Sequence, residues 1–269
     1  MNKNISTIVT LYKTPLEKLN NLKQYKVFKL MLFEQEGSSY ARANIKKILK
    51  FKFKYFFSRE NIGLSKSSNF LFKNVKTRFF LFTQPDIKIN SKSILALKRI
   101  IIQNKDLIFV TPNFSINSKI KKKNISFVKK INAACMMCDA NKLKKIGFFD
   151  EDYFLYWEDI DLIKKINDSN YKMAIANNIF AKHDSSQSSE NTMRIRFLRQ
   201  SNFIYGELLY DFKHKKLRKI KIIRKLLQNS FLFFFNIFIF QLKVGLINLA
   251  HLIGVCKFIF YYLKKKLKL

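Results

Sequence analysis

The chain has 269 residues, with 52 Lys or Arg against 18 Asp or Glu, a formal net charge of +34. Apolar residues make up 48%, including 29 Phe, which allows a sizeable core, while 3 Cys make no disulfide framework and suggest a reducing compartment. The charge directs attention to nucleic acid or an anionic membrane. The basic residues are spread along the whole chain, however, and no helix-turn-helix, zinc or RNA-recognition signature accompanies them, which weighs against a nucleic-acid-binding protein. Met1 to Ser6 is polar and carries no secretory signal pattern, so the bulk of the chain is expected in the cytoplasm.

Ile5 to Tyr12 is short, β-branched and apolar, the pattern of a buried strand. In Thr14-Pro15-Leu16-Glu17, Thr14 suits a helix cap, Pro15 the first helical position and Glu17 a capping box, so a helix is expected to about Tyr25. Val27 to Phe33 reads as a second strand, ending in Glu34-Gln35-Glu36-Gly37-Ser38-Ser39. Strand, helix, strand with short connections is a βαβ unit and implies a parallel sheet. Ligands of such sheets gather at the C-terminal strand ends, where Thr10, Tyr12, Glu34 and Gln35 would lie.

Arg42 to Lys50 reads as a helix, Lys54 to Phe57 as a third strand, and Asn61 to Asn69 as a loop entering a helix that reaches Asn74. Arg78 to Phe82 is expected as a fourth strand, ending in Thr83-Gln84-Pro85-Asp86. An acid at a strand end is where a cation ligand is useful, although Pro-Asp is also a common turn pair. Ser91 to Asn104 reads as a helix, Leu107 to Thr111 as a strand, and the basic stretch Asn117 to Lys130 as a solvated loop. Cys135-Met136-Met137-Cys138 has C-x-x-C spacing but no second pair for zinc, and reads as small buried thiols.

After a short helix over Asn141 to Ile146, the stretch Gly147 to Asp161 packs carboxylates among aromatic rings. Acids are seldom buried without a partner and aromatics are costly to expose. The mixture suggests a cleft where carboxylates meet a cation or take a proton, or alternatively a loop running into an acid-capped helix. Glu158 to Ser169 reads as that helix, with Leu162, Ile163 and Ile166 on its apolar side. Glu158 and Asp161 share a face and Asp159 points elsewhere. Tyr171 to Ala176 and Ile179 to His183 read as extended, His183 closing an apolar strand beside Asp184, Ser185 and Ser186. Thr192 to Lys213 reads as a helix. A basic segment to Lys225 follows, then uncharged stretches Leu226 to Leu242 and Val244 to Cys256, and a lysine-rich end.

In this order the motifs resemble the family 2 glycosyltransferases, in particular the rhamnosyltransferase-like branch that builds bacterial surface polysaccharides. The matching features are the strand Ile8 to Tyr12, Glu34-Gln35 with Ser38, Asn61-x-Gly63 with Asn69, Gln84-Pro85-Asp86, Gly147-Phe148-Phe149-Asp150-Glu151 with Tyr156 to Asp161, and His183 with Ser185. The chain departs from the usual Asp-Asn at Glu34-Gln35, from Asn-Pro-Asp at Gln84-Pro85-Asp86, and in having less glycine over Asn61 to Asn69.

The resemblance implies an α/β, GT-A-like domain over residues 1–210, a mostly parallel central sheet with helices on both faces, followed by a basic and apolar helical extension over 211–269. It implies an inverting transfer of a sugar, such as the deoxyhexose rhamnose, from a dTDP- or UDP-linked donor to a glycan or lipid-linked acceptor. Asp159 would be the catalytic base, and Asp86 and His183 ligands of a divalent cation, Mg or Mn. Thr10, Tyr12, Glu34, Asn61, Gly63, Asn69, Gln84, Asp150, Glu151, Trp157, Glu158 and Asp161 would contact substrates. A catalytically inactive relative is the alternative raised by Glu34 and Gln84. The uncharged C-terminal stretches are at or below the short end of the ~17–25 residues that span a bilayer. They are expected to lie in, or dip into, the cytoplasmic face of the membrane with basic flanks on anionic headgroups; otherwise Phe231 to Phe240 packs on the catalytic domain or a second subunit.

Overall fold

The computed structural model describes residues 4–115, 123–185 and 187–267. Contacts divide the chain into two compact units, Met1–Asp150 with Asp159–Glu190, and Glu151–Glu158 with Asn191–Leu269.

The first unit is an α/β layer structure. Its strands are β1 (Ile5–Tyr12), β2 (Lys29–Gln35), β3 (Lys54–Ser58), β4 (Phe79–Thr83), β5 (Ile87–Lys88), β6 (Leu107–Asn113), β7 (Ile125–Val128), β8 (Cys135–Asp139), β9 (Lys172–Phe180) and β10 (Lys182–His183). Eight of them form one sheet in the order β3-β2-β1-β4-β8-β6-β9-β7, and β5 and β10 form a separate two-stranded ribbon. The pairs β3-β2, β2-β1, β1-β4 and β6-β9 are parallel, whereas β8 runs antiparallel to both β4 and β6, and β7 antiparallel to β9. The central strands are apolar on both faces, as a sheet covered on both sides requires. Phe79 and Leu81 point to one core, with Ile45 and Leu49 of α2 (Ser39–Leu49) and Ile94 and Leu97 of α4 (Ser91–Gln103). Phe80 and Phe82 point to the other, with Leu71 of α3 (Leu64–Lys73), Leu143 of α5 (Ala140–Ile146), and Leu162 and Ile166 of α6 (Glu158–Asn167).

Several local expectations change. The capping box at Thr14 does not form. Pro15, with ψ 147°, itself occupies the cap position of α1 (Leu16–Asn21), and a 3₁₀ turn completes Leu22–Tyr25. Thr14 Oγ1 is buried without a hydrogen-bond partner, and Glu17 bonds Lys18 instead. Strand β2 starts and ends two residues later than its apolar run suggested, which carries Glu34 and Gln35 into the ladder. The basic loop is in part a strand: Ile125-Ser126-Phe127-Val128 alternates in the β period and pairs with β9. Residues 116–122 of that loop lie outside the described residues, as does Ser186.

The second unit is built from α7 (Met193–Lys213), α8 (Lys219–Phe238) and α9 (Leu242–Lys266). The expected division at residue 210 falls inside α7. Thr192 caps α7 by accepting from Ile195 N at 3.3 Å. The core gathers Tyr153, Ile204, Leu208, Leu209, Val255 and Phe258. Gly254 makes it possible for α9 to approach α7, since a Cβ there would lie 2.3 Å from the carbonyl oxygen of Ser201. The uncharged stretch Leu226 to Leu242 is not one helix, because the chain turns at Ile239 to Gln241. Among the described residues, α9 alone is long and apolar enough to cross a membrane, with a mean hydropathy of 1.7.

Candidate functional site

The sheet topology sends β4 out of the C-terminal edge, and Asp86 follows directly in a Pro-Asp turn. The β5-β10 ribbon sets His183 opposite Ile87 and so beside Asp86. His183 Nε2 lies 3.7 Å from Asp86 Oδ2, too long for a hydrogen bond. Asp86 is fully buried. Its Oδ2 accepts from Gln187 N at 3.3 Å, and its Oδ1 has no hydrogen-bond partner among the described residues. Burial pushes its carboxyl above the ordinary aspartate value, against the pull of His183. A buried carboxylate oxygen without a partner, next to an imidazole, is a donor pair suited to a divalent cation. No group of three or more His, Cys, Asp or Glu that could hold a metal occurs among the described residues. Lys18, itself buried, anchors the far side of the ribbon by donating to Asp184 Oδ2 at 2.9 Å, and Asp184 N donates to Asp86 O at 3.1 Å.

The ends of β1 and β2 hold the next group. Thr10 Oγ1 lies 3.3 Å from Ser67 Oγ and 3.4 Å from Ser68 Oγ, joining β1 to the first turns of α3. Tyr12 donates to Glu36 at 3.3 Å. Glu34 takes a short hydrogen bond from Tyr55, and burial raises its carboxyl above the ordinary glutamate value. Gly63, at φ 86°, gives its N–H to Gln35 Oε1 at 2.8 Å and to Asn61 Oδ1 at 3.0 Å. Asn61 and Gln35 thus fix the entry to α3. Gln84 is half-buried, and its carbonyl accepts from Ile87 N at 3.2 Å.

Asn69 ties α3 to the acidic stretch with a two-way amide bond. It donates to Phe149 O at 2.8 Å and accepts from Phe149 N at 3.1 Å. Asp150 follows, half-buried, and Glu151 is exposed. Asp152, absent from the sequence-based set, accepts from Lys213 Nζ at 2.6 Å and from Tyr261 at 2.8 Å, binding its segment to α7 and α9. Tyr156 and Trp157 both adopt left-handed backbone, φ 67° and 70°, a strained pair for bulky side chains. The Trp157 ring packs on Gly206, with Phe203 and Tyr210 at 5.8 Å and 5.4 Å between ring centroids. Its indole face is therefore used in packing rather than left open.

The strained pair delivers the chain into α6. Glu158 and Asp161 are buried, and Asp161 pairs with Lys165 at 2.7 Å, which makes it an ion-pair partner within its own helix. Asp159 is half-buried and accepts from Ile160 N at 2.9 Å. Desolvation raises its carboxyl above the ordinary aspartate value despite that bond. Helix α6 ends at Asn167, next to the start of β9, and therefore begins toward the C-terminal edge of the sheet, the edge that carries Asp86. The first unit thus places at one edge a buried carboxylate with a partnerless oxygen and a second carboxylate held above its ordinary value by desolvation.

No family model and no curated protein matches the chain. Solved structures do. S. aureus TarS superposes with a TM-score of 0.52 at 13% identity, over 81% of this chain and 44% of that one. A shorter S. aureus TarS structure, residues 1–349, gives 0.55 at 14% identity, over 95% and 89%. The mannosyltransferase PcManGT from Pyrobaculum calidifontis, solved in complex with GDP-Man and Mn2+, gives 0.57 at 11% identity, over 78% and 65%. The chain spans less than two thirds of the length of the first and third of these. At such identities the likeness is one of fold, and the mostly parallel eight-stranded sheet between helices is the GT-A-like fold of these glycosyltransferases.

Proposed function

We propose that the chain is a metal-assisted glycosyltransferase that uses a nucleotide-sugar donor. The observation that carries this reading is Asp86, a buried carboxylate with a partnerless oxygen, 3.7 Å from His183 at the ligand-binding edge of a GT-A-like sheet. A divalent cation there would offset the charge of a departing nucleoside diphosphate. Asp86 and His183 supply two donors, which is the number a protein commonly gives to a cation that also takes substrate phosphates. Asp159 is the base. Its raised proton affinity suits it to accept a proton from an acceptor hydroxyl, and a single base fits an inverting displacement. Thr10, Gln35, Asn61 and Gly63 shape the loop at the donor side, and the Asn69 bond to Phe149 steadies the segment leading to the base. The motif resemblance favours the rhamnosyltransferase-like branch of family 2, a dTDP- or UDP-linked donor, and a glycan or lipid-linked acceptor of bacterial surface polysaccharide. Basic segments around α8 and α9 favour a place at the inner face of the membrane, each cation adding about 1 kcal/mol near anionic headgroups. The structure of TarS residues 1–349 with UDP-GlcNAc makes UDP-GlcNAc a further donor to include.

Turnover of a panel of UDP-, dTDP- and GDP-sugars with Mn2+, Mg2+ or chelator tests this. Metal-dependent release of the nucleotide is expected, and Asp86→Ala should weaken cation-dependent donor binding about tenfold or more. Metal-independent donor binding equal in the parent and in Asp86→Ala overturns the assignment. A second reading, a glycosyltransferase-like protein without turnover, draws on Glu34, whose carboxylate is already held by Tyr55. Donor binding without release of nucleotide for any acceptor would favour it.

A further inference from the structure

Helix α8 is inside out. Its exposed side carries Ile220, Ile223, Leu227, Phe231, Phe234 and Phe238, three or four residues apart and hence on one stripe. Phe234 is 69% and Phe238 81% exposed. The opposite side carries the partly buried Ile222 and Leu226, packed on the apolar core, and its most buried residues are Asn229 and Asn236, each only 7% exposed. In water an amphipathic helix does the reverse.

The buried side is a polar seam. The two ring nitrogens of His251 lie 3.1 Å from Asn229 Oδ1 and 2.9 Å from Gln200 Oε1, so side-chain polar groups join α7, α8 and α9. Asn236 and Asn248 bond back to the carbonyls of Leu232 and Val244 at 2.7 Å and 3.2 Å. Gly245, Ala250 and Gly254 are buried along α9. Small and polar residues inside, with large apolar side chains outside, is the arrangement of helices whose solvent is hydrocarbon.

We propose that the outward stripe of α8, continued by Phe240 and Leu242, inserts in the plane of one leaflet of an anionic bilayer. This deepens the membrane association proposed above and rests on it. Charge selects the occupant. Arg218, Lys219 and Arg224 lie at or beside the stripe and Lys264 to Lys266 close α9, a set that complements anionic headgroups and would repel the same set on a second copy. Lys243 selects the orientation. It sits, exposed, in the first turn of α9 at the tip of the α8-α9 hairpin. Tip-first insertion would carry its ammonium toward the middle of the bilayer, whereas a hairpin lying flat keeps it in the headgroups. The stripe from Ile220 to Phe238 is about 27 Å long at the α-helical rise, which suits an in-plane anchor.

The test sediments the full chain with vesicles of phosphatidylcholine, alone or mixed with phosphatidylglycerol, beside a Phe231→Ser, Phe234→Ser, Phe238→Ser variant. The parent is expected to pellet with the mixed vesicles and to be released by high salt. The triple variant should bind about tenfold more weakly or worse, with an undiminished melting temperature, because the three rings are exposed. A Phe234→Trp reporter should shift its emission to the blue on the same vesicles. Vesicle binding by the triple variant equal to that of the parent, or an unshifted reporter, overturns the proposal. So does a parent that ignores vesicles and forms a dimer that the triple variant loses, since the face then belongs to a second copy. Nucleotide-sugar turnover measured on the same samples keeps the two readings apart. A parent that turns over donor but ignores vesicles loses this inference alone, and one that binds vesicles without turnover loses the catalytic reading alone.

Discussion

The two units bury opposite things. The sheet unit follows the rule of water-soluble folds, with Phe79 to Phe82 feeding apolar cores on both faces and polar groups gathered at one edge. The helical unit packs Asn229, Asn236, Asn248 and His251 toward its interior and turns phenylalanines outward along α8. A side chain's hydropathy therefore predicts its burial in the first unit and in the α7–α9 core of the second, and fails along α8. The same composition, rich in Phe and Lys throughout, is sorted in two ways, as the proposed membrane contact of α8 requires.

Function and stability separate in the sheet unit. Asp159→Asn should lower transfer by about 10²–10⁴-fold, the usual contribution of a general base. It should not lower the melting temperature at neutral pH, because desolvation already disfavours the charge that the substitution removes. The raised pKa also fixes the direction of the pH profile. The base must be ionised, so the rate should rise with pH through a value above the ordinary aspartate range. A variant that transfers at near parental rate, or an acid limb at or below that range, would remove Asp159 from the mechanism.

The helical unit should break through packing. Gly254→Ala places a Cβ 2.3 Å from a backbone oxygen of α7, which has no rotamer with which to move aside. A loss of about 3 kcal/mol is expected despite the gain in helix propensity, read as a lower denaturation midpoint. An unchanged midpoint would mean that α9 is not held against α7.

How far this contrast could be read from the sequence differs between the units. The first strands, their parallel order and the strand-end positions of Thr10 and Asp86 were legible because short β-branched runs alternate with capped helices. The failures have physical causes. Thr14 looked like a cap, but Pro15 takes extended backbone and claims that position. Ile125 to Val128 was hidden among lysines, which on an edge strand face solvent. Asp152 was not in the expected set because it acts through partners distant in the chain, Lys213 and Tyr261, while Gln35, expected at the strand-end edge, bonds the N–H of Gly63. Trp157, expected among the substrate contacts, packs its ring on Gly206, a neighbour 49 residues away that local sequence does not reveal. The Asn229 and Asn236 spacing was available as a signal, since two polar residues seven apart in an apolar run mark a helix face.

Lys18→Met probes how much the sheet unit depends on a buried ion pair. The Lys18 side chain is 3% exposed and donates to Asp184 at 2.9 Å. Its removal leaves Asp184 with Lys182 at 3.3 Å and Lys88 at 3.8 Å, so the cost should be about 2 kcal/mol rather than that of a stranded charge. The hydrogen bond from Lys18 holds Asp184 below the ordinary aspartate value. Its stabilising effect is complete above that value and is lost as pH falls through the depressed one. Donor affinity should fall as well if the ribbon positions His183; a variant with unaltered stability and cation dependence would detach the ribbon from the site.

Asp152 is the matching test in the helical unit, and the smallest effect. Partial burial would raise its carboxyl, but the bonds from Lys213 and Tyr261 outweigh burial and leave it below the ordinary value. Its stabilisation is likewise present at neutral pH and disappears on acidification through the depressed value. Its side chain is 39% exposed, so water and salt screen the pair. Asp152→Asn keeps an oxygen for Tyr261 and for Lys213, and should cost only about 0.5–1 kcal/mol at pH 7. The difference between the variant and the parent should shrink at high ionic strength and vanish in acid. Equal losses for Lys18→Met and Asp152→Asn would erase the distinction between a buried anchor in the sheet unit and a screened one among the helices. A larger loss at Lys18, persisting in salt, would establish it.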